Sequence, residues 1–287
     1  MSGPGVRVGI APSPLVRRLI LGIIGAIFAI PILSMIEFTL RKGLSGGYTV
    51  THWTGLFDPA NASQYQVLYV GLVNSLVLAV VTVAIVLLVL LPTMVLVQLK
   101  FPALRRVLEF ICIIPITVPA IVLVVGLAPV YSVVASIFGS SVWTLSFAYG
   151  ITVLPYAYRT IQSNLGAIDV NTLSEAARSL GAGWGSVFWR VLIPNLRRGI
   201  LAASFISVAV VLGEFTIASL LSRQNLQTAI LLMSQSDPYV AVIIALLALL
   251  FVFLLLLIIG RFGAVTGSKR GSKHTKRAQR AEKGTPS

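Results

Sequence analysis

Charged residues and cysteines are scarce in this sequence, and each scarcity excludes something. Only 10% of its 287 residues are Asp, Glu, Lys or Arg, where a soluble globular domain carries about 25%. A soluble domain is therefore excluded. Acidic residues are the rarer sign, 8 against 22 Lys and Arg. The single cysteine, Cys112, rules out a disulfide within the chain and reads as a small buried hydrophobe in an apolar run. His52 and His274 stand apart from any other ligand, and no group of His, Cys or carboxylates has metal-ligand or acid–base spacing. The phosphate-cradling Gly-Lys-Ser/Thr loop is also missing. The chain is thus expected to be no enzyme and to bind no metal or cofactor of its own.

What is there is 57% hydrophobic, with a mean hydropathy of +0.95. About 20 apolar residues cross a bilayer core, and the uncharged runs allow six such crossings. Leu19 to Ile36 is the first; it is long for a signal peptide and lacks a small-residue cleavage site. The second lies in Asn61 to Leu99 and begins near Val67. Phe110 to Tyr158 has no charge and is too long for one crossing, so Gly139-Ser140-Ser141 divides it into a third and a fourth. Gly199 to Leu221, interrupted only by Glu214, is the fifth, and Tyr239 to Gly260 the sixth. The fold class is an all-α integral membrane protein of six helices. Residues 1–18 form an N-terminal segment, 19–262 the membrane domain and 263–287 a basic tail.

Orientation follows from Lys and Arg, which favour the cytoplasmic side. With the N-terminus inside, Arg41, Lys42 and Arg223 are the only basic residues left outside. Both termini are therefore expected in the cytoplasm, and the net charge of +14 needs no nucleic acid to explain it. The tail, GSKRGSKHTKRAQRAEKGTPS, lacks apolar periodicity and reads as disordered. It serves either as a topology anchor or as a contact to anionic lipid, at about 1 kcal/mol per basic residue. Outside, Arg41 to Gln66 carries His52, Trp53, Phe57 and Asp58-Pro59. Its aromatics are interfacial anchors or a docking surface for an external partner.

The inside loop 162–198 contains NTLSEAARSLGAGWGSVFWRVLIPNLRRG, from Asn171. Thr172 and Glu175 have the spacing of a capping box, and Gly181 suits the left-handed position that closes a helix. Between them Leu173, Ala176, Ala177 and Leu180 fall on one apolar face, with Ser174, Arg178 and Ser179 opposite. Trp184, Val187, Phe188 and Val191 form a second stripe, broken by Pro194, and Arg197-Arg198 mark re-entry into the membrane. So short a helix is held by packing. Periodicity leaves open whether its face docks a cytoplasmic protein or covers the chain's own helix ends.

Glu175-Ala176-Ala177, then Gly181, then Val191-Leu192-Ile193-Pro194 resemble the EAA signature of bacterial ABC importer permeases, with Val191 and Ile193 as mild departures. Asn74-Ser75-Leu76, Phe101-Pro102 and IIPITVPAIVLVVGL from Ile113 look like the type I (MetI-like) permease core, so the resemblance covers about Leu68 to Gly260. It implies a coupling helix, with Leu173, Glu175, Ala176, Ala177, Leu180, Gly181 and Pro194 engaging a cytoplasmic ATPase dimer that holds ATP and Mg. It further implies a second, homologous permease subunit, an external substrate-binding protein and a place in the bacterial cytoplasmic membrane. The Leu212-Gly213-Glu214-Phe215 stretch resembles permeases for polyamine, ferric iron, thiamine, phosphonate and sulfate. A polyamine is the first expectation, with ferric iron, thiamine, phosphonate or an oxyanion as alternatives.

Other readings remain. A secondary transporter builds its site from unwound helices, intramembrane charge and repeats; this sequence offers one intramembrane Glu and no evident repeat. An assembly factor would have no need of a capped, apolar loop helix. Gly213, Glu214 and Phe215 are candidates for the translocation path or its gate. A mid-helix carboxylate costs about 2.5–3.5 kcal/mol on insertion scales and needs a polar partner or a proton. Pro115 and Pro119 are either static kinks or a bend that changes during transport.

Overall fold

The computed structural model describes residues 13–43 and 46–264. Among them the long elements are helical: α1 (Pro14–Leu40), α3 (Gln66–Lys100), α4 (Arg105–Thr117), α5 (Ala120–Phe138), α6 (Ser146–Leu165), α9 (Ile193–Gly213) and α12 (Pro238–Ala264). Short helices α2 (Thr51–Gly55), α7 (Val170–Ser179), α8 (Trp184–Ser186), α10 (Thr216–Leu220) and α11 (Leu226–Ser236) lie between them. Five stretches are long and apolar enough to cross a membrane: Leu15–Leu40, Gln66–Lys100, Ala120–Phe138, Trp184–Gly213 and Pro238–Ile258. The expected fourth crossing is α6. Its 20 residues include Ser146, Thr152, Pro155, Thr160 and Gln162, which lower its hydropathy.

That polarity suits its position. α6 lies against α3, α4 and α9, with Tyr149, Val153, Ala157, Tyr158 and Ile161 almost fully buried. The five long apolar stretches keep many of their apolar side chains exposed on the surface of the bundle. A helix enclosed by protein is free to carry hydroxyls and amides. α1 is the opposite case: it touches the rest mainly through α12 and α2, and its apolar side chains are largely exposed.

Two expected boundaries move. Gly139 does divide the long uncharged run, with φ +81. The third crossing, however, is itself interrupted: α4 ends at Thr117, Val118 is extended and Pro119 precedes α5. Proline disfavours helical backbone in the residue before it and brings no N–H of its own, so the chain breaks there. Conversely, Pro194 does not interrupt its helix. Val187–Leu192 form a π-helical turn, and the helix runs unbroken from Trp184 to Gly213. The wider turn admits the proline ring and absorbs the carbonyl left without a donor. The loop expected over 162–198 therefore begins inside α6 and ends inside α9.

The aromatics of the loop between α1 and α3 bind the helix ends together. The His52 ring stacks on Tyr239 at 4.2 Å, Tyr239 stacks on Phe38 at 4.9 Å, and Trp53 Nε1 donates to Thr39 Oγ1 at 3.1 Å. His52 and Trp53 thus tie α2 to α1 and α12, while Phe57 stays 74% exposed.

Close approach of α3 to α11 depends on Gly71, where an added Cβ would lie 2.6 Å from Ala229 Cβ and 2.8 Å from the Asn225 carbonyl oxygen. Gly71→Ala is expected to destabilise the protein by about 1–3 kcal/mol, as overpacking does. Thermal unfolding in detergent should show a lower midpoint than wild type, and an unchanged midpoint would contradict this packing.

Candidate functional site

Two groups of residues stand out, at opposite ends of the unbroken helix from Trp184 to Gly213. The first is α7. Its N-cap is Asp169: Oδ1 accepts from the Thr172 amide at 3.1 Å and Oδ2 from the Thr172 hydroxyl at 2.6 Å. The expected capping box of Thr172 and Glu175 does not form. Helix begins at Val170, so Thr172 is already in the first turn and Glu175 sits exposed one turn further on. Gly181 behaves as expected, with φ +86. Its amide donates to the Arg178 carbonyl at 2.9 Å and the Ala182 amide to that of Ala177 at 3.1 Å, the paired bonds of a Schellman closure.

The expected stripe on α7 divides. Val170 and Ser174 are buried, and Leu173 and Ala177 are half-buried, against the end of α3 and the π-helical turn. Ser174, expected on the polar side, points inward, and its hydroxyl has no hydrogen-bond partner. Ala176 is exposed and Leu180 is 89% exposed. Of the residues expected to couple, Glu175, Ala176 and Leu180 therefore face outward on α7, beside the exposed Arg178 and Ser179. Trp184 braces the far side, with the Arg178 guanidinium 4.5 Å and the Lys100 ammonium 4.9 Å from its ring centre. A cavity of about 370 Å³ opens between Lys100, Asn171, Ser174, Glu175, Arg178 and Trp184. In the second stripe Val187 is buried, Phe188 and Val191 are half-buried, and Pro194 lies exposed in the first turn of α9.

The second group surrounds Glu214. This residue is not in the middle of a helix: α9 stops at Gly213, and α10 begins at Thr216. The Glu214 carboxylate accepts from the Ile217 amide at 2.9 Å and reaches that of Ala218 at 3.5 Å, capping α10. Asn225 Nδ2 donates to the Glu214 carbonyl at 2.6 Å and to the Tyr149 hydroxyl at 3.1 Å. Asn225 also exchanges bonds with Thr228 in a capping box that starts α11. From α3, Asn74 Nδ2 donates to the Gln224 carbonyl and Ser75 Oγ accepts from the Leu226 amide. Gly213 is exposed, and no heavy atom of the chain lies within 4 Å of where its Cβ would be. Phe215 is 38% exposed beside it. Among the described residues no group of His, Cys, Asp and Glu has metal-site geometry.

Sequence reading placed Gly213, Glu214 and Phe215 together, as the structure does, and missed Tyr149, Gln224 and Asn225. The signal available was Asn225 three residues before Thr228, a cap pattern within an apolar chain.

The chain is an all-helical bundle with a capped, partly uncovered short helix at one end of its Trp184–Gly213 helix and a satisfied break at the other. Residues 96–264 match the family described as binding-protein-dependent transport system inner membrane component, and this chain belongs to that family. All of the first group and, apart from Asn74 and Ser75, all of the second fall within the match. The family is one of membrane components that neither hydrolyse ATP nor bind a cofactor, and it makes the chain a multi-pass inner membrane protein. A probable sulfate transport system permease protein cysT from Chlorokybus atmophyticus is 30% identical over 159 residues, 50% of this chain and 55% of that one. The phosphate transport system permease protein PstA of Pasteurella multocida is 30% identical over 115 residues, 40% of each chain. A solved structure, the crystal structure of an amino acid ABC transporter with histidines, aligns at 22% identity and a TM-score of 0.49, covering 71% of this chain and 97% of that one. The matches span about half or less of the curated relatives' length.

Two expected outcomes follow from the caps. Thr172, first through its hydroxyl and then through its amide, holds the Asp169 carboxyl below its ordinary value of 3.8. A carboxyl whose pKa falls on folding contributes stability that is complete above the unfolded value and disappears as pH drops through the folded one. The protection of the Thr172 amide, its hydrogen-exchange rate relative to that of the free chain at the same pH, should therefore be retained at neutral pH and be lost in acid below about pH 4. Asp169→Asn should retain a cap and lose that acid step; an identical step in the variant would assign it elsewhere. At the other end, Glu214→Ala leaves the buried Ile217 amide unpaired, at a cost of about 1–3 kcal/mol. Glu214→Gln keeps an acceptor and should cost less. Unfolding midpoints in detergent should rank wild type above Gln above Ala, and equal midpoints would refute the capping role.

Proposed function

We propose that this chain is the permease subunit of an ABC importer and that its substrate is an inorganic oxyanion of the sulfate or phosphate class. Residues 19–262 form the permease domain, with α7 as the coupling helix in the loop of 162–198. Residues 1–18 and 263–287 flank it on the cytoplasmic side; most of both lies outside the described residues. The relatives named above are sulfate and phosphate permeases, which supports the oxyanion alternative over the polyamine expectation.

One observation carries the coupling role: Glu175, Ala176 and Leu180 face outward from a helix closed at both ends, at the head of a helix that continues to the Glu214 break. The fold covers the inner face of α7 and leaves this face open. Burying Leu180 in a partner's groove would contribute about 1.5–3 kcal/mol. A cytoplasmic ATPase dimer takes these helices from two permease subunits. ATP binding brings the ATPases together, draws the coupling helices inward and rocks the bundles from inward-open to outward-open. An external binding protein then delivers the anion to the outer face. The positive-inside bias supports this orientation.

Glu175→Lys and Gly181→Trp test the reading in the reconstituted complex. The first reverses charge on the docking face. The second places a side chain where φ is +86, a region only glycine occupies freely, and adds bulk to the docking edge. Both are expected to insert normally and to lower substrate-stimulated ATP hydrolysis at least about tenfold, or about 1.4 kcal/mol of coupling. Wild-type stimulation in both variants would remove the coupling role from α7.

A further inference from the structure

Arg223 follows the only non-glycine residue with positive φ among the described residues, Ser222 at +52. Ser222 takes the left-handed position that closes α10: its amide donates to the Ser219 carbonyl at 3.1 Å and the Arg223 amide to the Ala218 carbonyl at 2.8 Å, a Schellman closure. From that closed turn the Arg223 side chain reaches α5, where its Nε–H meets the Tyr131 hydroxyl at 3.2 Å. The bonds beyond fix the direction of the chain. Thr144 donates its hydroxyl hydrogen to the Ser141 carbonyl at 2.7 Å, so it accepts from Tyr131 at 3.0 Å, and the Tyr131 oxygen is left to accept from Arg223. Tyr131 and Thr144 are both buried. The guanidinium is therefore held by its Nε edge, and the rest of its planar fork is unspent.

Among the described residues no carboxylate pairs with it. Glu37 with Arg41 is the ion pair found among the described residues. The acidic group in the same break, Glu214, is taken up by the amides of α10. A half-buried guanidinium with free donors keeps water on them until an anion replaces that water with charge-assisted hydrogen bonds. A fixed guanidinium edge matches the paired oxygens of a tetrahedral oxyanion and binds them through two parallel hydrogen bonds.

We propose that Arg223 is the anion-contacting residue on the outer side of the translocation path, with Tyr131 as the residue that positions it. The inference rests on the oxyanion reading above and adds the group that selects the charge. A divalent tetrahedral anion leaving the binding protein meets the free edge of Arg223 at the end of α10, the short helix whose start Glu214 caps. The neutral hydroxyl relay holds the guanidinium in place without cancelling its charge.

The test is uptake of radiolabelled sulfate and, separately, phosphate by proteoliposomes holding the complete complex with its binding protein. Wild type is expected to accumulate one of the two. R223Q should lower that uptake at least about tenfold, because a charge-assisted bidentate contact is lost. R223K should recover part of it, since the point charge remains while the fork is lost. Y131F retains the charge and should lose less than R223Q. Uptake by wild type with R223Q equal to it overturns the role of Arg223 and leaves the oxyanion reading standing. Equal losses in R223Q and Y131F, or failure of both R223Q and R223K to assemble, would make Arg223 a packing residue and overturn the proposal too. Failure of wild type to accumulate either anion overturns the oxyanion reading itself.

Discussion

Backbone N–H and C=O groups have no water to bind inside a bilayer, and that constraint governs this structure at the one point where its fifth crossing unwinds. Between Gly213 and Thr216 the helical ladder stops. The Glu214 carboxylate satisfies the amides that open α10, and the Asn225 amide satisfies the Glu214 carbonyl. Ser75 and Asn74 reach across from α3 to the segment that follows. Remove that set, and the break would have to close into continuous helix or expose unpaired groups to hydrocarbon. The central, polar α6 belongs to the same solution, because its Tyr149 hydroxyl completes the Asn225 contacts. A charged residue in the membrane is here a backbone partner.

The inner end shows the converse economy. α7 is too short to stand alone, and the fold supplies what it needs: a side-chain cap, a Schellman closure, and an inner face seated on α3 and the π-helical turn. Trp184 between two cations fixes the spacing to the end of α3. Its outward face is rigid and unsatisfied at once. That combination suits a surface meant for repeated engagement, since little ordering is required each time a partner arrives.

Long apolar runs, the glycine turn at Gly139 and the left-handed Gly181 were legible in the sequence, because each depends on local composition or on one backbone angle. The failures have a different physical origin. Asp169 and Thr172 are both good N-caps, and only the actual first turn of α7 decides between them. Pro194 reads as a stop, and whether a π-helical turn rescues the helix depends on its packing against α7. Glu214 looked isolated because its partners, Ile217 and Ala218, are backbone amides that a sequence does not display. Asn225 and Tyr149 lie 76 residues apart in the chain, so their meeting is purely a consequence of fold. The inward turn of Ser174 belongs to the same class.

The unbroken helix from Trp184 to Gly213 has a mechanical meaning. Its 30 residues make a rod about 45 Å long, with its handle beside α7 and its tip at the unwound segment. A rod does not stretch, so a push at the handle reaches the tip as displacement or rotation with little loss along the way. The π-helical turn sits close to the handle, where a change in helical pitch alters the rotational setting of everything beyond it. Displacement at the α7 end of this helix is thereby geared to the orientation of Glu214 at the other end, with no relay of intermediate contacts required.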